Sequence, residues 1–402
     1  RLFRKEQGME TRKLLGALLC LFLGLGTAAS AGETFKLGAF LQLTGSMSAY
    51  GLESRNSIEL AVAEINAKGG LNGQLIQFIP YDTQGSAEEA VKIASRLIDV
   101  DKVNLVIGSV NSNEVLAAAR YLNDAKIPTL GLGTSPTWMA EGWPYIFRGS
   151  YNNGLSALLV VDIMERLGMS EVAVFKGQDD ASLSTARAFA GEVNRRGYEI
   201  VADESYDLGD NDFSAQVANI IDSEPHAVFL SVIGEAGPVI VKQLRQLGYT
   251  GIILYKESFM VAQVEIAGKD AATDILFPNP YVTYDNIADC DIPIVHAFLE
   301  KFQAKYGHPC KTDSAYRAWD TMMIIQEAAR IAGANDRESI RAAIHKVNMP
   351  GLGGQLDFTD GSGEGYKKFN LFAFIAQKNL LLDKWIADGG YEAYKKKTGN
   401  EY

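Results

Sequence analysis

The sequence predicts an α/β protein made of two doubly wound, Rossmann-like lobes. Three observations carry that expectation. From Phe35 onward, short apolar runs alternate with longer amphipathic segments. The short runs are near-continuously apolar, as strands of a parallel sheet buried on both faces must be. A second alternating series starts at Tyr151, and two such series fit two lobes better than one oversized sheet. A chain of 402 residues agrees, at about 100–200 residues per domain.

The elements follow in order. FKLGAFL is strand-like, and SRNSIELAVAEINAK then places Ile58, Ala61, Val62 and Ile65 on one helical face. QLIQFIPYD is the next strand, followed by the helix AEEAVKIASRLID. VNLVIG and NEVLAAARYLND repeat the pair, and IPTLGL adds a strand. The second series runs through GLSALLVVDIMERLG, EVAVFK, ASLSTARAFAGEVNRRG, YEIVADESY, FSAQVANIIDSE, HAVFLSV, GPVIVKQLRQLG and GIILY.

The last third breaks the alternation. Helices are expected near 292–306, 313–332 and 336–346. GLGGQLDFTDGSGEG is too glycine-rich for a helix and predicts a hairpin or loop excursion, after which FNLFAFIAQ supplies one further strand. Helices that follow the second sheet must pack somewhere, and returning to the first lobe would create a multi-strand hinge.

The N-terminus has a different character. Arg12 and Lys13 precede the apolar run Leu14–Gly26, which ends in Ala28-Ala29-Ser30-Ala31. A basic start, a short apolar core and an A-x-A arrangement describe a secretory signal over residues 1–31, cleaved after Ala31. The run falls short of the roughly 20 residues of a membrane span. Cys20 follows the large Leu19, where a lipoprotein signal wants a small residue, so it reads as part of the apolar core. Residues 1–8 lie upstream of Met9.

Losing residues 1–31 takes away five basic and two acidic residues and moves the formal charge from −11 to −14. Such an acidic chain is unsuited to nucleic acid or to an anionic membrane surface, both of which need a basic face. The short run Lys395-Lys396-Lys397 reads as a solvated helix face. Cys290 and Cys310 form an even pair in an oxidising compartment, which favours a disulfide. Reach argues against it: the intervening helix of 14 residues is about 21 Å long, and the flanks return only about 10 Å each.

No catalytic set emerges. The four histidines lack partners at zinc-ligand spacing, His296 lying in a helical pattern and His308 in a turn. There is no G-x-S-x-G elbow and no Walker-type loop. Asp179-Asp180 could be paired carboxylates, but adjacent acids at a strand end are more often a polar turn. The expectation is therefore a non-enzyme without metal or cofactor.

VIGSVNSNEVLAAARYL, residues 106–122, poses the functional question. It reads as a strand end, a polar turn with capping residues Asn111, Ser112 and Asn113, and a helix. The free amides of such a helix start can seat an anion, or can simply be capped.

Here the residues match a known pattern. LTGSMSAYGLESRNSIELAVAEINAKGGLNGQLI carries Gly45, Tyr50-Gly51, Ala61, Ile65-Asn66, Gly69-Gly70 and Gly73. It resembles the start of the periplasmic leucine/isoleucine/valine-binding family, the type I solute receptors of ABC importers. GSVNSNEVLAAARYLNDAKIPTLGLGTS and AYRAWDTMMIIQEAARIAG are similar to further stretches of that family, and the likeness covers roughly residues 35–375.

The resemblance implies two lobes joined by three crossings near residues 153, 281 and 367. Residues 32–153 and 282–367 would form one lobe, and 154–281 with 368–402 the other. It also implies hinge closure on a ligand held between them. By the same match, Asn111 and Ser112 fall where relatives hold an amino acid's carboxylate, and Thr134 where both ends of the head group are contacted. Leu132 matches a backbone carbonyl contact to the ammonium, Glu257 the acid that pairs with it, and Tyr50 a residue at the mouth. Taken singly, each also has a plain reading as a cap, a strand end or a solvated acid.

Three departures bear on the ligand. Ala181-Ser182 stands where many relatives carry Tyr-Gly, Asn111 replaces a small hydroxyl residue, and Lys256 sits beside Glu257. The resemblance thus implies an extracytoplasmic, monomeric receptor that gives a small amino-acid-like solute to ABC permease subunits. A ligand sensor for a signalling partner, or a binder of an amide or aromatic acid, stays open beside it.

Overall fold

The computed structural model describes residues 34–284 and 286–400. The expected signal segment, with Cys20 and the cleavage after Ala31, lies outside the described residues.

Five parallel strands make the first sheet: β1 (Phe35–Leu41), β2 (Ile76–Asp82), β3 (Leu105–Gly108), β4 (Thr129–Gly131) and β5 (Ile146–Arg148), in the order β2-β1-β3-β4-β5. Between them run α1 (Ser48–Ala67), α2 (Ala87–Arg96), α3 (Ser112–Asp124) and the single turn α4 (Thr137–Ala140). The second sheet begins after α5 (Asn153–Leu167). Its parallel strands are β6 (Glu171–Gly177), β7 (Glu199–Tyr206), β8 (Ala227–Ser231), β9 (Ile252–Tyr255) and β10 (Ile275–Asn279). They alternate with α6 (Asp180–Arg195), α7 (Ser214–Asp222), α8 (Ala236–Gln246) and α9 (Val261–Ala267).

Both sheets repeat one winding, the second in the order β7-β6-β8-β9-β10, so each has a switch point where the strand order reverses. Each is buried on both faces, as the continuous apolar strands require. In the first, Phe35, Leu37 and Ala39 face one core while Phe40 and Val106 face the other. Ile58, Ala61 and Ile65 of α1 are buried in the former, with Val62 packed at its edge. Each of the two isoleucines, so buried, contributes about 1.5–3 kcal/mol.

The three later helices are α10 (Pro293–Tyr306), α11 (Ser314–Ala332) and α12 (Arg337–Ile344), within a residue or two of their expected spans. They join the first sheet's core, where Phe298, Phe302, Ile324, Ile325 and Ile340 are buried; α10 and α11 lie against α1, and α12 against α11. The glycine-rich stretch forms the antiparallel hairpin β11 (Asn348–Gly351) and β12 (Gly354–Asp357). The chain then returns to the second sheet, where β13 (Asn370–Ile375) pairs antiparallel with β10, and β14 (Lys378–Leu381) pairs with β13. Helices α13 (Leu382–Ala387) and α14 (Gly390–Thr398) finish the described chain.

Thus the chain passes between the sheets three times: between β5 and α5, after β10, and before β13. Side chains at the crossings are tied together. The Tyr151 hydroxyl donates to Asp313 (2.8 Å), Asn279 Nδ2 donates to the same carboxylate (3.0 Å), and the hydroxyls of Tyr281 and Tyr366 share a 2.6 Å hydrogen bond. Tyr366 donates onward to Asp320 of α11. Cys290 and Cys310 are both free thiols, in keeping with the limited reach between them.

Candidate functional site

The carboxyl ends of strands from both sheets face one cavity. Tyr50 reaches it from the first turn of α1, which lies close over the end of β1. A Cβ on Gly51 would sit 1.8 Å from the Gln42 carbonyl oxygen, so only glycine permits that approach. Val110, Asn111, Ser112 and Asn113 line it after β3, and Thr134 after β4. From the second sheet come Asp179 and Ala181 after β6, Ile233 after β8 and Glu257 after β9. Switch-point clefts at the carboxyl ends of strands are the usual ligand seats of such sheets. The enclosed space offers about 10 Å³ to the centre of a water-sized sphere, roughly one water's requirement.

Five of the six residues expected at a site meet there: Tyr50, Asn111, Ser112, Thr134 and Glu257. Leu132 does not line the cavity, and its side chain is fully buried in the first core.

Asn111 is indeed a helix cap. Its Oδ1 accepts the Asn113 N–H at 3.1 Å, and its Nδ2 donates to Gln42 at 3.2 Å. With Asn111 so committed, Ser112 is the adjustable group at the positive end of α3. Its Oγ accepts the Ser135 N–H at 3.1 Å, which leaves the hydroxyl proton free to donate elsewhere. Thr134 is held by Asn153, whose Nδ2 donates to its Oγ1 at 2.9 Å. The pole is built of donors and suits an anion.

The opposite wall is charged. Glu257 is buried, and burial pushes its pKa up against the opposing pull of the Lys256 and Arg317 charges. Arg317, on α11, is 2 % exposed and lines the cavity. Its Nη2 lies 2.6 Å from Asp313, 2.8 Å from the Tyr151 hydroxyl and 3.5 Å from Glu257. The Arg317–Glu257 pair therefore joins the two cores across the cleft. Tyr50 does likewise, its hydroxyl accepting from Gln263 Nε2 of α9. Burial first, then the Glu257 and Asp313 charges, keeps that phenol neutral by raising its pKa well above the ordinary value.

Sequence reasoning missed Arg317. The available signal was Asp313, Arg317 and Asp320 at helical spacing within a segment otherwise apolar, since charges at core-facing positions are almost always partnered. It read Asp179-Asp180 as a polar turn and missed that the two side chains face different ways. Asp179 caps α6 by accepting the Ser182 N–H at 2.9 Å, while Asp180 reaches the other lobe and accepts from the Ser135 hydroxyl at 2.6 Å and from Thr137.

Among the described residues no cluster of histidine, cysteine or acidic side chains could hold a metal ion. None of the described helices is long and apolar enough to cross a membrane.

Comparison with known proteins agrees with this architecture. The family model described as periplasmic binding protein matches residues 34–378. The chain is 26% identical to an amino acid binding protein of Pseudomonas aeruginosa, over 85% of this chain and 88% of that one. It is 25% identical to Leu/Ile/Val-binding protein homolog 3 of Brucella melitensis, over 84% and 89%. Among solved structures it is similar to LivJ of Streptococcus pneumoniae, a branched-chain amino acid transporter substrate-binding protein crystallised with isoleucine. There the TM-score is 0.76 at 26% identity, covering 86% of this chain and 98% of that one. The chain belongs to the periplasmic binding protein family, among the type I receptors that include the leucine/isoleucine/valine-binding proteins.

Proposed function

We propose that the protein is the extracytoplasmic solute receptor of an ABC importer. It captures a small amino-acid-like acid between its lobes and presents the closed form to permease subunits. One observation carries the reading: side chains from the carboxyl ends of both sheets converge on a single cavity with a donor-built pole. The names of its relatives support the transport setting. Ser112, Thr134 and the start of α3 hold the carboxylate; Glu257 and Arg317 face the rest of the solute. The two lobes comprise residues 32–153 with 282–367 and residues 154–281 with 368–402.

A thermal-shift screen of the purified protein tests this. Ligand that binds only the folded state stabilises it by about 2.7 kcal/mol at a hundred times its dissociation constant. Small carboxylates of amino-acid size are expected to raise the melting temperature. Thr134→Val is expected to weaken the same ligand by roughly 0.5–1.5 kcal/mol, a neutral hydrogen bond's worth. A panel without any shift, or a ligand indifferent to Thr134→Val, contradicts the cleft as the site.

A further inference from the structure

We infer that Asp179 is the acid that receives the ammonium group of the solute, while Glu257 serves the guanidinium of Arg317. The inference rests on the reading of the cleft as the ligand site, and it moves the cationic pole of that site from the end of β9 to the start of α6.

Two acids and one cation line the cavity: Asp179, Glu257 and Arg317. The cation is already engaged. Arg317 Nη2 lies 3.5 Å from Glu257 and 2.6 Å from Asp313. Burial raises the Glu257 pKa, and the Lys256 and Arg317 charges oppose that rise. An ammonium set against Glu257 would compete with an almost wholly buried guanidinium and leave it short of a partner.

Asp179 has no such partner. It is 3 % exposed, and one of its oxygens is used: Oδ1 accepts the Ser182 N–H at 2.9 Å and caps α6. Oδ2 is buried without a hydrogen-bond partner, and among the described residues no cation pairs with this carboxylate. The Tyr206 hydroxyl lies on the same side, since a Cβ built on Gly177 would meet Oδ2 at 2.8 Å and that hydroxyl at 2.9 Å. Burial, and then the Asp179 charge, raises the pKa of that phenol. Capping does not call for a charge, because asparagine and serine cap about as well as aspartate. A buried carboxylate with an unmatched oxygen is costly, and an ammonium supplies both the opposite charge and N–H donors.

The position suits an α-amino acid. Asp180, the next residue, accepts from the Ser135 hydroxyl at 2.6 Å, and the Ser135 N–H donates to Ser112 Oγ at 3.1 Å. The start of α6 is thus tied through Ser135 to the anion pole at the start of α3. The carboxylate and ammonium of an α-amino acid hang on one carbon and need poles that near. Glu257 follows β9, two strands away from β6 in the sheet order.

Titration calorimetry with two pairs of probes tests the assignment: L-leucine with 4-methylpentanoate, and L-phenylalanine with 3-phenylpropanoate. Each pair shares a skeleton and differs in the ammonium alone. The wild type is expected to favour an amino acid over its partner by about tenfold or more, the scale of a charged hydrogen bond. Asp179→Asn and Asp179→Ser both keep the cap and should cut that preference to about threefold or less. Glu257→Gln should retain it. A preference that survives both Asp179 variants, or that disappears in Glu257→Gln, overturns the assignment and leaves the cleft reading intact. Equal binding within each pair by the wild type has the same consequence. No binding by any of the four acids overturns both.

Discussion

Glu114 shows how the anion pole is supported from behind. It lies in the first turn of α3 with its carboxyl buried, accepting from the Thr83 hydroxyl at 2.8 Å. Burial pushes its pKa up from 4.5 to about 7, with the Ser109 and Thr83 hydroxyls partly opposing. A raised carboxyl favours the folded state when protonated. Its contribution is complete below about pH 4.5 and is lost as pH rises through about 7. The protein should therefore gain stability from pH 8 to pH 5 by roughly 1–3 kcal/mol more than Glu114→Gln does. Denaturant unfolding of both proteins across that window checks it; parallel pH profiles contradict it. At this scale the residues alone singled out only Asn111 and Ser112, as capping types at a helix start; Tyr50, Thr134 and Glu257, which line the same cavity, were named only by what the family resemblance implied. Arg317 was hidden because it sits inside an apolar helix, where only a partner makes sense of a charge, and Asp313 and Glu257 are partners that only the fold brings near.

Among the elements, long periodic ones were readable and short ones were not. Helices α1, α10 and α11 announce themselves by apolar spacing and end at the glycines Gly307 and Gly333 in the case of the last two. β5, with three residues, offers too little pattern. β14 was concealed by its turn: Ala376 and Gln377 adopt φ of 47° and 66°, so the chain reverses without the usual Asn-Gly signal. FNLFAFIAQ thus reads as one strand, although β13 stops at Ile375. Elements also decide how the lobes meet. The start of α6 carries Asp180 across to Ser135 and Thr137 of the other lobe, outside the cavity wall. Those contacts exist only when the lobes are together, so they add to the apparent affinity without touching ligand. Asp180→Ala should weaken ligand binding by roughly 1–2 kcal/mol, the scale of a charge-assisted hydrogen bond partly open to water. Calorimetry reads this directly, and an unchanged dissociation constant removes Asp180 from the closing mechanism.

The whole molecule behaves as a clamp whose jaws share a hinge and a seat. The three crossings carry Tyr151 and Asn279, which donate to Asp313, and Tyr281, whose hydroxyl is bonded to that of Tyr366, which donates to Asp320. Arg317 links that network to Glu257 on the opposite lobe. The cavity between the lobes admits little more than one water, so a solute of amino-acid size enters only when the jaws part. Small-angle scattering of the protein, alone and with a ligand at saturation established by calorimetry, tests this most directly. The radius of gyration should fall when ligand is added, and the bound profile should match the closed arrangement described above. A bound profile that is unchanged, or expanded, contradicts capture by closure of the two lobes.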